Sequence, residues 1–245
     1  MSGLLRAIVL GLILGALVFW WRMDRIGQDR IAEVRARVTP DLAAALAADG
    51  LQLGNPAFIR IFKESSELEL WLQPVTDSAF QRFKTWRIAN WSGKLGPKLA
   101  EGDGQAPEGI YATHSGLLNP QSAFHLSFNI GYPNAFDRAH DRTGSFIMVH
   151  GSNVSIGCFA MTDPVIEEIY LIVEAALKNG QREVPIHVFP FRFTDERLTR
   201  AAPKPDEAPW LDFWNDLRPI HDAFENAHQV PQVQIEGKRY RLVHP

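Results

Sequence analysis

The sequence predicts an α+β, β-rich domain behind an apolar N-terminal helix, and three observations predict it. Short runs of alternating apolar and polar residues recur from Ala57 to Phe193. One long run with helical spacing, "VIEEIYLIVEAALKNG", sits among them, and the uncharged block "AIVLGLILGALVFWW" from Ala7 to Trp21 lies near the start. A chain of 245 residues suits one sizeable domain with appendages, and 46% hydrophobic with 22% charged residues is a globular composition. The net charge of −3 supplies no basic field, which excludes a nucleic-acid backbone as a natural partner. The single cysteine excludes an internal disulfide, and the eight scattered histidines have no zinc-type spacing, so no metal is expected.

Taken in order, the apolar block follows Arg6 and is closed by Trp20, Trp21 and Arg22. Its length lies between a signal-peptide core and a span of roughly 20 residues. No small-x-small cleavage pattern follows, and paired tryptophans suit a membrane interface, so residues 1–28 are expected to form a membrane anchor or uncleaved signal. Residues 29–56 read as a helical stalk, "DRIAEVRARVTPDLAAALAADG", interrupted at Pro40 and closed by Gly50. The catalytic domain is expected over 57–199. It begins with a hairpin, "AFIRIFKESSELELWLQP", turning at Ser65 and Ser66, and continues with a strand in "FKTWRIANW". A turn-rich loop spans Ser92–Gly109, followed by strands in "GIYAT", "FHLSFNIGYP" and "SFIMVHG". Asp163 as N-cap and Pro164 at the first helical position then open a helix running to Gly180, and "EVPIHVFPFRF" returns to strand. Residues 200–245 read as a linker of Pro, Ala and charge, a helix over 210–227 and a hairpin turning at Glu236 and Gly237. The aromatics of "PWLDFWNDL" are expected to cover core.

The stretch with chemistry is "HGSNVSIGC", residues 150–158, which joins the last strand before the long helix to the only cysteine. An imidazole can take a thiol proton and ready the sulfur for attack, so His150 and Cys158 are the minimum set for acyl transfer. Gly157 lets backbone approach a substrate, and the N–H groups of Gly157, Cys158 and Phe159 are candidate oxyanion donors. On the pair alone a buried, inert thiol is the favoured reading, since free cysteine often behaves as a small hydrophobe.

"GSFIMVHGSNVSIGCFAMTD" resembles the nucleophile region of the YkuD-type L,D-transpeptidase catalytic domain, in which a histidine at a strand end precedes a Ser-x-Gly-Cys stretch. The resemblance covers about Ile88 to Arg192 and is closest to the YafK-like branch, the murein L,D-transpeptidases. Ile156 stands where the wider family has histidine, and Ala160 where it has Arg or Asn, so substrate contacts are expected to depart there. The resemblance implies a mixed β-sandwich with a helix after the nucleophile loop. It also implies Cys158 as nucleophile, His150 as general base and then acid, Ser155 and Gly157 as turn-shaping residues, and no cofactor. Its substrate would be peptidoglycan stem peptides, attacked at the carbonyl on the L-centre of a diamino acid, in the cell envelope outside the cytoplasmic membrane. An amine acceptor gives a crosslink or protein attachment. Water gives carboxypeptidase or endopeptidase action, or release of a wall-linked protein. A silent peptidoglycan-binding scaffold is the reading from another class.

Five further residues draw attention. Arg138 and Arg142 are candidates to pair with a substrate carboxylate through paired hydrogen bonds. His114 and His125 are candidates to orient His150, a task a backbone carbonyl performs equally well. Asp137 is expected to anchor its loop through backbone N–H groups.

Overall fold

The computed structural model describes residues 3–243. Helix α1 runs from Gly3 to Ala48 as one element, with Pro40 inside it. The expected interruption is absent: proline removes one backbone bond, and burial of Leu42 and Leu46 just beyond it holds the helix together. The segment expected as a stalk lies against the domain, with Ile31, Val34, Leu42 and Leu46 in the main core. Ile8, Leu10, Leu12, Ile13, Leu14 and Val18 are exposed. Among the described residues no helix is long and apolar enough to cross a membrane, and the side chains of Trp20 and Trp21 lie outside the described ones.

Among the described residues eleven strands follow: β1 (Ala57–Phe62), β2 (Glu67–Leu72), β3 (Gln81–Arg87), β4 (Gly109–Thr113), β5 (Leu118–Asn119), β6 (Ser127–Asn129), β7 (Met148–His150), β8 (Phe159–Ala160), β9 (Val184–Phe189), β10 (Val233–Glu236) and β11 (Arg239–Leu242). Between them lie α2 (Ala135–Ala139), α3 (Asp163–Lys178), α4 (Asp195–Ala201) and α5 (Leu211–Ala227). Five strands form a mixed sheet in the order β3-β2-β1-β9-β4, and four form a second sheet, β5-β6-β7-β8. The β1–β2 hairpin pairs Phe62 with Glu67 and turns through Ser65 and Ser66, where the alternation breaks.

The architecture is α+β with several sheets. Helix α3 touches β1 and β9 of one sheet and β6 and β7 of the other, so a helix takes part in the core between the two sheets. Strand alternation explains why. Ile59, Ile61, Leu68, Leu70, Ile186 and Val188 face one core together with Ile169 and Val173 of α3. Phe62, Phe189 and Trp214 of α5 build a core on the reverse face.

Two differences from expectation are local. Helix α3 starts at Asp163, with Thr162 in the cap position, one residue before the expected cap. The stretch before and inside the linker holds α4, capped by the Thr194 side chain on the Arg197 N–H, because Arg197 is buried between Glu64 and Glu207.

Candidate active site

His150 ends β7 and is 2% exposed. Its Nδ1 lies 2.5 Å from the Gly151 carbonyl oxygen, which can only accept, so Nδ1 carries the hydrogen. In the neutral ring Nε2 then holds the free lone pair, the atom a general base needs. Burial holds this imidazole below its usual pKa, against the opposing pull of the Gly151 carbonyl, and it is neutral at pH 7. The Phe124 ring lies over it at 4.9 Å between centroids.

Cys158 immediately precedes β8. Strands β7 and β8 run parallel, with Val149 opposite Phe159 and His150 opposite Ala160. Cys158 is therefore level with Met148, whose side chain shares a face of the sheet with that of His150. The two reactive groups lie on neighbouring strands, offset by two residues, or about 7 Å along the strand. Sγ accepts the Met148 N–H at 3.4 Å and contacts the Phe146 carbonyl at 3.5 Å. No hydrogen bond joins it to His150 among the described residues. Burial pushes the thiol above its ordinary pKa, opposed by the Met148 N–H and the charge of Lys98, so the resting form is a thiol.

The connecting loop is held from several directions. Asp163 Oδ1 accepts the Ser152 N–H at 2.7 Å, and Ser155 Oγ donates to the Cys158 carbonyl at 2.7 Å. Gly157 has a φ of 102°, and a Cβ there would stand 3.3 Å from the Gln105 carbonyl oxygen, so the position requires glycine. Of the three expected oxyanion donors, the Gly157 N–H is taken by Ser92 Oγ at 2.6 Å, and the Phe159 N–H falls within the β7–β8 ladder. Only the Cys158 N–H has no partner among the described residues.

The remaining candidates sort cleanly. Arg142 is buried, donates to Asp137 Oδ1 at 2.9 Å and lies over the Phe136 and Phe213 rings at 5.1 and 5.2 Å. Its guanidinium is engaged by Asp137 and enclosed by the two rings. Arg138 is exposed and donates to the Pro133 carbonyl. Asp137 does anchor its loop, accepting the Asn134 N–H at 3.2 Å within a capping box. His114 accepts the Gly116 N–H, and His125 bonds Glu167 at 2.8 Å, so orientation of His150 falls to the Gly151 carbonyl. A cavity of about 550 Å³ lies on the other face of the five-stranded sheet, lined by Arg60, Glu69, Trp71, Arg82, Arg192 and Glu225, whose charges pair with one another.

No family model matches the sequence. The chain is 39% identical over 193 residues, 79% of its length and 76% of theirs, to the YafK proteins of Escherichia coli K12 and O157:H7, whose name gives L,D-transpeptidase activity as unproven. It belongs to the YafK-type L,D-transpeptidase family. Solved structures are more distant. A form of the helical cell shape determining protein Pgp2 of Campylobacter jejuni matches at TM-score 0.46 and 19% identity, over 66% of this chain and 55% of that one. Bd1075 of Bdellovibrio bacteriovorus matches at TM-score 0.40 and 21% identity, over 66% of this chain and 58% of that one. The chain thus spans little more than half the length of these two structural relatives.

Within this family, the two departures from the wider motif have different surroundings. Ile156 is 84% exposed on the loop before Cys158, whereas Ala160 is fully buried and bonded on its backbone to Asn90. Sequence reading missed Ser92, which carries no motif or periodicity and acquires its place only when the Ser92–Gly109 loop folds against Gly157.

Proposed function

We propose that this protein is a peptidoglycan-modifying cysteine L,D-transpeptidase working through a Cys158 thioester. The observation that carries the reading is the His150 tautomer: Nδ1 is spent on the Gly151 carbonyl, and Nε2 is left as the base beside the strand that begins after Cys158. Sγ gives up the Phe146 carbonyl, passes its proton to Nε2 and attacks the stem-peptide carbonyl. Because burial keeps the resting sulfur protonated, proton transfer accompanies attack rather than preceding it. The new oxyanion takes the Cys158 N–H, and the imidazolium returns the proton to the departing amine. An acceptor amine or water then releases the acyl group. Ser155 and Gly157 keep the turn in shape.

The catalytic domain acts in the cell envelope, outside the cytoplasmic membrane, with residues 1–28 as anchor. The exposed apolar side chains from Ile8 to Val18 support that anchor, and an enzyme acting on the wall has use for one. Arg138, the exposed arginine of the two, is the first candidate for a substrate carboxylate.

The test is incubation of the full chain, in detergent, with tetrapeptide muropeptides containing a diamino acid, with products read by mass spectrometry. Exchange of the terminal residue by the wild type and none by Cys158→Ala is expected. Loss of that residue without exchange would make the enzyme a hydrolase on the same thioester. Full activity in Cys158→Ala would refute the mechanism, and no acyl-enzyme in the wild type would favour a binding scaffold.

A further inference from the structure

The segment Ala89–Ser92 runs antiparallel beside the nucleophile strand. Asn90 and Ala160 exchange both backbone bonds, at 3.2 Å and 2.9 Å. In an antiparallel ladder the next pair to exchange bonds lies two residues further on, which is Ser92 with Cys158. That rung is not made. The Ser92 carbonyl accepts the Ala106 N–H at 2.9 Å instead, and the Cys158 carbonyl accepts Ser155 Oγ–H. Ser92 Oγ takes the Gly157 N–H at 2.6 Å and donates to the Gly104 carbonyl at 2.7 Å. The loop that supplies these groups is itself fixed. The fully buried Lys63 Nζ donates to the Gly96 and Ala106 carbonyls and to Glu108 at 2.8–2.9 Å, and Gln105 bonds Lys94, Gly96 and Ala106.

We infer that Ser92 is a positioning residue that keeps the oxyanion site open, by holding the Gly157 amide on its hydroxyl and ending the ladder one rung short of Cys158. This rests on the Cys158 acyl-transfer reading. Without the hydroxyl, the Gly157 N–H loses its acceptor, and the Ile156–Gly157 peptide is free to rotate. The Cys158 N–H then loses its aim at the transition state, while the thiol keeps its contacts with Met148 and Phe146.

The experiment compares wild type, Ser92→Ala and Ser92→Thr in two reactions of Cys158. Acylation by p-nitrophenyl acetate forms the Sγ–C bond, breaks the ester C–O bond, moves the thiol proton to His150 and releases nitrophenolate, so it passes through an oxyanion. Alkylation by iodoacetamide displaces iodide and does not. For Ser92→Ala, acylation should slow about 10- to 100-fold with KM within about twofold, on the scale of a lost oxyanion donor. Alkylation should stay within about threefold across pH, and Ser92→Thr should recover most of the acylation rate. A parallel fall in both reactions would mean simple loop collapse, and unchanged acylation would mean that Ser92 is irrelevant; either overturns the inference. A wild type that acylates but leaves muropeptides untouched would refute the peptidoglycan reading and leave this one standing.

Discussion

The reverse face of the five-stranded sheet and the end of β7 in the four-stranded sheet both bury ionisable groups, yet they use them in opposite ways. On the reverse face Arg60, 1% exposed, pairs with Glu225 at 2.6 Å and Glu69 at 3.6 Å and lies among the Phe62 and Phe224 rings at 4.9 Å. Glu69 also takes Arg192 and the Trp71 indole. Between that face and the loop beside Gly157, Lys63 and Glu108 close on each other at 0% exposure, with Trp214 donating to the second Glu108 oxygen. The side served by β7 and β8 has fewer polar groups and leaves them open: an imidazole with one nitrogen tied, a thiol with weak contacts and an amide with no partner. Paired buried charges hold a fold even where Arg60 Nε and Nη1 lack a hydrogen-bond partner, whereas an unpaired imidazole nitrogen, thiol and amide gathered at one strand end are groups a substrate can engage.

The sharpest way to test that contrast is to remove one group from each side. His150→Gln retains much of the volume and removes the base. It should cut acyl transfer by about 10²- to 10⁴-fold, measured by initial rates, and should not lower the stability of the fold below that of the wild type. Lys63→Met should act first on the fold, and because Lys63 Nζ also holds the Gly96 and Ala106 carbonyls of the loop beside Gly157, activity should fall together with stability. It leaves Glu108 buried without its cation and should cost about 3–5 kcal/mol of unfolding free energy in urea titrations.

A gentler probe is pH. Burial, with the nearby Arg60 charge, pushes His187 on the reverse face down to about 3. The unfolded chain binds that proton near pH 6.5 and the native chain only near 3, so the stabilisation is complete above about 6.5 and is lost as pH falls through that window. His187 alone should tilt the unfolding free energy by up to about 1.4 kcal/mol per pH unit there, and His150 and His221 tilt it the same way through burial. Replacing His187 by Phe should flatten the acid limb in stability measured between pH 3 and 6.5. The smallest effect belongs to Arg138→Ala, which should move stability by less than about 0.5 kcal/mol, because the side chain is exposed and bonds a single carbonyl. A rise in KM for that variant, with kcat unchanged, would assign it to substrate.

What could be read from residues alone follows the range of the forces involved. The hairpin at Ser65 and Ser66 and helix α3 are set by local alternation and periodicity, and they stand within a residue or two of their expected positions. Helix α2 and strands β5 and β8, five residues or fewer, carry too little periodic signal. His150 and Cys158 were legible because a motif keeps them close in sequence. Ser92 lies 65 residues from Gly157, and Arg142 looked like a surface cation until Asp137, Phe136 and Phe213 enclosed it. Pro40 misled in the other direction: a local helix breaker was outweighed by long-range burial of α1.

The Asn90–Ala160 bridge carries one more implication. The chain leaving β3 in the five-stranded sheet bonds directly to β8 at the border of the four-stranded one, which would otherwise be an open edge. That bridge adds a backbone tie at the edge to the core the two sheets already share. Strand β8 therefore is not an independent flap, and its amides should exchange with solvent only in openings that also loosen the end of β3.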